Sequence, residues 1–325
     1  MSALVLVTDG VGYLAQWCIV EAIRRGLRVR AVAPSVAAVP EILGAVSARV
    51  GVAGKLETVV LDPLADAGWA DAARGATYVL HTGHVAARES ESGVNQRVAL
   101  RVLEAARAAG VQRVVLTSTI GAARPADGST SSDESVWTDP TDTDGDGAIA
   151  AAVERAAVEA AERLGVDLVT LLHGHMVGSP VGEGGLDRLW LVGDLIHGRA
   201  GDVPRRGVEV VDVRDVAHAH VSALVNPRAS GRYLLPGEFY WMIEIARVLR
   251  DRLGERARNV PTTELSGWRA TVVGWLAPKQ DRPPIGSETE VVHDSSRARR
   301  ELDWRPRNTD DSIIETAELF LAEGQ

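Results

Sequence analysis

The chain has 325 residues, room for one large α/β domain or two unequal ones. A formal charge of −9 argues against a phosphate-backbone partner, so nucleic acid is not expected. Cys18 is the only cysteine, which excludes a disulfide framework and fits the cytoplasm, and no apolar run is long enough to span a membrane.

The apolar run Leu4–Val7 predicts a strand buried on both faces. It leads, with no basic leader before it, into the turn Thr8-Asp9-Gly10-Val11-Gly12 and an apolar-periodic helix ending at Gly26. Strand, glycine turn and helix form the layout that presents backbone N–H groups to a pyrophosphate. Only Gly12 matches the three-glycine fingerprint in full: Asp9 stands at the first position and Ala15 at the third, with Gly10 one residue off. A carboxylate beside a phosphate is electrostatically awkward, so Asp9 is expected to turn away or the turn to be redrawn. Val29–Ala33, Glu57–Leu61, Thr77–His81, Arg113–Thr117 and Asp167–Leu172 predict further strands, and Asp66–Ala73, Ser90–Gly110 and Ala148–Leu164 predict helices. That alternation implies a doubly wound parallel sheet. From Gly121 to Gly147 the periodicity gives way to Ser, Thr, Asp, Gly and Pro, a loop whose length points to function. Beyond His173 the rhythm loosens, with helices over Leu186–His197, Val213–Leu224 and Asp311–Ala322 and a strand over Val208–Val211.

Laid out in this order, several segments resemble the extended short-chain dehydrogenase/reductases, in the dihydroflavonol-reductase-like (NAD-dependent epimerase/dehydratase) branch. They are RVVLTST (Arg113 to Thr119), DESVWTD (Asp133 to Asp139), ERAAVEAAERLGVDLVTL (Glu154 to Leu171), VDVRDVAHAHVSAL (Val211 to Leu224) and SSRARRELDWRPR (Ser295 to Arg307). The resemblance implies a Rossmann-type α/β sheet over residues 1–172, joined by roughly 207–225, with a smaller substrate-binding part from 173–206 and 226–325. It also implies a dinucleotide held by Thr8, Gly10, Gly12, Tyr13, Leu14, Ser35, Asp62, Leu80 and Thr117. Pro34 stands where the family often has an Arg for the 2′-phosphate, and no Asp or Glu is there for an NAD ribose; Ser35 and nearby Arg30 favour NADPH over NADH.

The family's chemistry uses a Ser or Thr, a Tyr that gives its proton to the carbonyl oxygen, and a Lys four residues on that lowers the Tyr pKa. Thr119 matches the first, with Ser118 beside it, but the Tyr position falls on Asp146 and the Lys position on Ala150. Tyr13, Tyr78, Tyr233 and Tyr240 each lack a Lys four residues on, and Lys55 and Lys279 are the only lysines. The chain thereby resembles the angucycline ketoreductases of simocyclinone-type pathways, which share the fold and lack the pair. The implied activity is NADPH-dependent reduction of an aromatic, polyketide-type ketone by a monomer or homodimer, with the proton carried on the substrate. Rival readings are a redox-neutral cyclase, lyase or isomerase with structural NADP, and a non-catalytic NADP-sensing protein.

His81, His84, His173 and His175 follow strands at the end where ligands of doubly wound sheets collect, so His84 and His173 are expected to face substrate. Either His175 or His84, acting as acid, would cost rate steeply above an ordinary histidine pKa. Trp137, Met176 and Trp190 are expected to wall a slot for a flat ligand, with Trp241, Trp268 and Trp275 in the same half, whereas His218 and His220 read as surface or packing. No metal is expected. The run Asp142, Asp144, Asp146 opens like a calcium loop, but its twelfth residue is Val153 where a bidentate Glu is required. An acidic loop whose last Asp caps the next helix explains it.

Overall fold

The computed structural model describes residues 2–83, 91–139, 146–182, 185–199, 202–265 and 286–323. The first half alternates strands and helices: β1 (Leu4–Val7), α1 (Tyr13–Arg24), β2 (Arg28–Ala33), α2 (Ala38–Ser47), β3 (Leu56–Val60), α3 (Trp69–Ala73), β4 (Tyr78–His81), α4 (Glu91–Ala109) and β5 (Arg113–Thr119). A 3₁₀ turn over Ile120–Ala123 and the short β6 (Ser131–Ser132) precede α5 (Asp146–Leu164) and β7 (Leu168–His173). There follow β8 (His175–Val177), α6 (Trp190–Ile196), β9 (Val203–Pro204), β10 (Gly207–Asp212), α7 (Val213–Val225), β11 (Gly231–Leu235), β12 (Glu238–Trp241) and α8 (Met242–Leu253). The chain closes with β13 (Glu264–Leu265), β14 (Val292–His293), α9 (Ser296–Leu302) and α10 (Thr309–Glu323).

Seven strands form one parallel sheet in the order β3-β2-β1-β4-β5-β7-β11. The order reverses at β1, which pairs with β2 on one side and β4 on the other; that crevice is where doubly wound sheets take ligands. Alternation along β1 sends Val5 and Val7 into a core with Ile19 of α1 and Val216 of α7, and Leu6 into an opposite core with Leu103 of α4 and Ala160 of α5. Covering both faces is what makes β1 uniformly apolar. A third core, with Leu195, Val210, Ile245, Leu249 and Ile313, joins α6, α8 and α10 to the small sheet β12-β10-β8.

The two parts interleave more than the sequence division allows. Gly231–Leu235, assigned there to the substrate-binding part, is the seventh strand of the main sheet, and Gly207–Asp212, assigned to the Rossmann part, lies in the small one. The helix over Ala38–Ser47 was not anticipated: Pro40 falls in its first turn, where a missing N–H costs nothing, and Ile42 and Val46 are buried. The helix expected to start at Ala148 begins at Asp146. Among the described residues, no helix is long and apolar enough to cross a membrane.

Candidate active site

Outside the carboxyl ends of β1 to β4 lies a cavity of about 310 Å³. Thr8, Asp9 and Gly12 line it from the first turn, Pro34 and Pro63 from beyond β2 and β3, His81 and Gly83 from the end of β4, and Gly185 and Arg188 from the segment before α6. Gly10 N–H donates to Val32 O at 2.7 Å, and a Cβ on Gly10 would meet that carbonyl and Ile42, so this glycine serves packing against β2. A Cβ on Gly12 would collide with the Asp9 carboxylate. Asp9 neither turns away nor redraws the turn. Its Oδ1 accepts the N–H of Gly12 at 3.0 Å and of Val11 at 3.2 Å, at the head of α1. Burial raises its pKa, opposed by those two amides and by the Arg188 charge. The position, the glycine turn and the length of the cleft over four strand ends fit a dinucleotide; Asp9 is the one group in the cradle that does not.

The residues read as cofactor contacts divide on inspection. The Thr8 hydroxyl is 2.8 Å from His81 Nδ1, at the cavity wall. Tyr13 borders the cavity, but its hydroxyl donates to Gly178 O at 2.6 Å, which ties α1 to the loop after β8. The side chains of Leu14 and Leu80 are in the core, so only their backbone is available to a ligand. Ser35 and Asp62 are exposed beyond β2 and β3, with Asp62 Oδ1 accepting Leu64 N–H at 2.9 Å. Arg30 is corrected outright: its guanidinium is held by Glu57 at 2.8 Å and by the carbonyls of Ala72 and Arg74, away from the cavity. Arg188 is a cation at this wall that sequence reasoning missed; the glycines just before it were the local signal of a loop folding back on α1, where Gly185 packs on the Tyr13 ring.

The second cluster is at the ends of β5 and β7. A Cβ on Gly121 would stand 3.4 Å from Thr119 Oγ1 and 3.1 Å from Gly147 Cα, so Thr119 faces the head of α5. A side chain on Gly147 would collide with the Gly121 carbonyl, which is why this close approach needs glycine. Asp146 is the first residue of α5, and Ala150, one turn on, packs against the small cluster of Ile120 and Leu172. All four tyrosines are elsewhere: Tyr13 on Gly178, Tyr78 at the start of β4, Tyr233 bonded to Glu301, and Tyr240 bonded to Asp310 at 2.7 Å. Lys55 is exposed just before β3. His84, Trp268, Trp275, Lys279, Asp142 and Asp144 lie outside the described residues.

Strand alternation separates the β5 hydroxyls. Thr117 lies 2.8 Å from His220 Nε2, while Ser118 points to the other face and donates to Glu154 at 3.2 Å. Ser118 is therefore corrected from a catalytic neighbour to a structural one. Glu154, fully buried, also accepts from Thr170 at 2.6 Å and from Arg232 Nε at 2.9 Å. Arg232 binds the carbonyls of Glu134 and Val136 and stacks 3.7 Å from the Trp137 ring centroid, with Arg155 over the same ring at 4.7 Å. Trp137 is thus held by two guanidiniums as the anchor of its loop, not a bare wall for a ligand.

Three histidines at this end, the fully buried His220 and the half-buried His173 and His175, are poor in charge. His220 Nδ1–H donates to Val216 O at 2.8 Å, leaving Nε2 to accept from Thr117, and burial lowers its pKa to about 3. His173 donates from Nδ1 to Gly174 O at 2.6 Å, and burial lowers its pKa too. His175 meets Trp190 edge-on at 6.4 Å, and its Nε2 is buried with no hydrogen-bond partner among the described residues. Burial, then neighbouring His173, pushes its pKa down to about 4, so it is neutral at pH 7 and the expected rate loss near an ordinary histidine pKa does not apply to it. Met176, half-buried on β8, packs against the main core.

The parallel sheet, its crevice at β1 and β4 and the glycine turn define a Rossmann-like dinucleotide-binding protein. The chain belongs to the NAD dependent epimerase/dehydratase family, whose model matches residues 5–235, and is thereby an NAD(P)-dependent oxidoreductase. Cinnamoyl-CoA reductase 1 of Petunia hybrida is 31% identical over 71% of this chain and 72% of that protein. Tetraketide alpha-pyrone reductase 2 of Arabidopsis thaliana is 26% identical over 76% of this chain and 82% of its own length. Among solved structures, yeast methylglyoxal/isovaleraldehyde reductase Gre2, complexed with NADPH, superposes with a TM-score of 0.80 at 19% identity, covering 99% of both chains. Vestitone reductase from alfalfa gives 0.75 at 21% identity, again covering 99% of each.

Proposed function

We propose that this protein is an NADPH-dependent ketoreductase acting on an aromatic, polyketide-type ketone, with the proton supplied by a phenolic hydroxyl of the substrate beside the carbonyl. The observation that carries this reading is the composition of the β5 end: Thr119 lies beside the Gly121–Gly147 approach at the head of α5, and every tyrosine hydroxyl is engaged or remote. Thr119 can donate one hydrogen bond to a developing alkoxide, but its acidity is far too weak to provide the proton. His175, held neutral beside Trp190, is poorly suited to replace it. A phenol already hydrogen-bonded to the ketone meets the need without a protein acid, leaving the chain to orient the carbonyl, a contribution that can reach several kcal/mol.

When bound, the nicotinamide supplies hydride to the carbonyl carbon. Thr8, Gly12 and the backbone of Tyr13 and Leu14 would hold the pyrophosphate, with Ser35 and Asp62 on the adenosine side. Pro34 and Ser35 after β2 offer no carboxylate to an NAD ribose, which favours the phosphorylated cofactor. The substrate would lie between the main sheet and the part built on β8, β10 and β12, near His173, His175, Met176 and Trp190. Relatives named for cinnamoyl-CoA, a tetraketide alpha-pyrone and dihydroflavonol support a carbonyl on an aromatic or polyketide frame. In this reading the protein is of the angucycline-ketoreductase type and serves antibiotic biosynthesis.

The test compares NADPH consumption with a ketone bearing an adjacent phenolic hydroxyl and with its methyl ether. General acid catalysis is worth roughly 10²–10⁴ in rate, and methylation should cost that much. Thr119→Val and His175→Ala should each cost far less. Equal turnover of the two ketones defeats the substrate-borne proton, and no NADPH consumption with any ketone returns the redox-neutral reading.

A further inference from the structure

The pyrophosphate cradle already contains an anion. Asp9 Oδ1 holds two N–H groups at the head of α1, those of Val11 and Gly12, and its other oxygen lies where a side chain on Gly12 would be. This is not an ordinary helix cap, because the capping residue of α1 is Gly12 and Asp9 reaches in from the strand side of the turn. The carboxylate sits on the wall of the 310 Å³ cavity, which Arg188 also lines, near enough for its charge to act on Asp9, with the Thr8–His81 pair beside it. A phosphate entering the cradle would meet a carboxylate on the amides it needs, and like charges at contact are strongly unfavourable.

We propose that the Asp9 carboxylate is an internal competitor for the dinucleotide pyrophosphate: in the free protein it occupies the α1 amides, and the dinucleotide enters as that carboxylate is displaced toward Arg188. The inference rests on the reading of this cavity as the dinucleotide site. It makes Asp9 a binding-strength determinant of the opposite sign to a usual site residue: removing it helps the ligand and harms the free protein. The glycine that the fingerprint would place here has no such conflict, so the cost is peculiar to this side chain.

The test is calorimetric titration of the full chain with NADPH, alongside melting temperatures with and without it, for the wild type, Asp9→Gly and Asp9→Asn. Asp9→Gly removes both the charge and the amide contacts; Asp9→Asn keeps an acceptor for the amides and drops only the charge. NADPH should bind at least about tenfold more tightly to Asp9→Gly, with a smaller gain for Asp9→Asn, since a like-charge clash is worth a factor of this size or more. The melting temperature of free Asp9→Gly should fall while its NADPH-induced rise grows. A gain in affinity in either variant supports the inference. If the wild type binds NADPH and neither variant binds it more tightly, the inference is overturned and the cofactor reading stands. If no variant and no wild type binds NADPH, the cofactor reading itself is overturned and takes the inference with it.

Discussion

At the β1–β4 crevice the ligand-facing groups are mostly backbone; at the β5–β7 end they are side chains. The first region has lost a glycine to Asp9 and yet keeps the strand, the tight turn and the helix head that a phosphate site requires. The second keeps its backbone too, down to the Gly121–Gly147 approach, but among the described residues the head of α5 carries Asp146 and Ala150 and neither a Tyr nor a Lys. A function carried by main-chain N–H groups survives substitution around it, whereas one carried by two side chains disappears with them. The fold therefore predicts cofactor binding better than it predicts the source of the proton.

The sharpest way to break this comparison is Gly12→Val. A branched side chain there collides with the Asp9 carboxylate and fills the approach to the α1 amides. NADPH-induced thermal stabilisation should vanish, a loss of at least about a hundredfold in affinity if three or more kcal/mol of contacts are forfeited. Retained stabilisation would show that the crevice does not bind through its backbone.

The next largest effect belongs to the clamp under the other region. Arg232→Met leaves Glu154 buried without its cation, and Trp137 and the carbonyls of Glu134 and Val136 without their anchor. Breaking one side of a buried pair costs about 3–5 kcal/mol, so chemical denaturation should show a loss of that order. A loss under about 1 kcal/mol, the range of an exposed pair, would mean the clamp is solvent-screened.

This clamp also marks the limit of what was legible in the chain. Strands β1 to β5 and β7, with α1, α3, α4 and α5, were readable from their apolar runs and regular periods, whereas α2 was not. Glu154 and Arg232 are 78 residues apart and carry no local pattern, so only the pairing of β7 with β11 brings them together. In helix α8, Ile245, Ala246, Leu249 and Leu253 recur at helical spacing, a signal hidden in the sequence by its many charges. The same spacing distinguishes His220 from His218: the former shares the face of Val213, Val216 and Leu224 and is fully buried, while the latter turns out to Glu21. The use of Asp9 could not be read at all, since composition does not say which way a side chain turns.

Acid should expose the buried histidines. A ring whose folded pKa lies below its ordinary value is kept neutral by the fold, so its contribution is complete above the unfolded pKa near 6.5 and is lost as pH falls toward the folded value. For His220 that window runs from about 6.5 down to about 3. Going from pH 7 to pH 5 should cost about 2 kcal/mol of stability from this one ring. His220→Gln should flatten that slope in denaturant midpoints measured across the range. Identical slopes would mean that His220 takes up its proton in the native state, and with it that the Thr117 contact survives the charge.

The smallest effect separates two adjacent hydroxyls. Ser118 and Thr119 follow one another on β5: Ser118 donates to the buried Glu154, while Thr119 Oγ1 lies beside Gly121 at the end of the strand. Ser118→Ala removes one of the four donor groups around the Glu154 carboxylate, since Thr170 and the two Arg232 nitrogens remain. A single hydrogen bond to a charged group is worth about 1.5–3 kcal/mol; at 3.2 Å and with three donors left, the loss should sit near the bottom of that range. Turnover with the hydroxyl-bearing ketone should be unchanged, because Ser118 Oγ is committed to the buried Glu154. Thr119→Val should do the reverse, with melting temperature held and rate reduced. If Ser118→Ala slows reduction as much as Thr119→Val does, Ser118 reaches the substrate, and the contrast between a retained backbone site and an emptied side-chain site fails at its catalytic half.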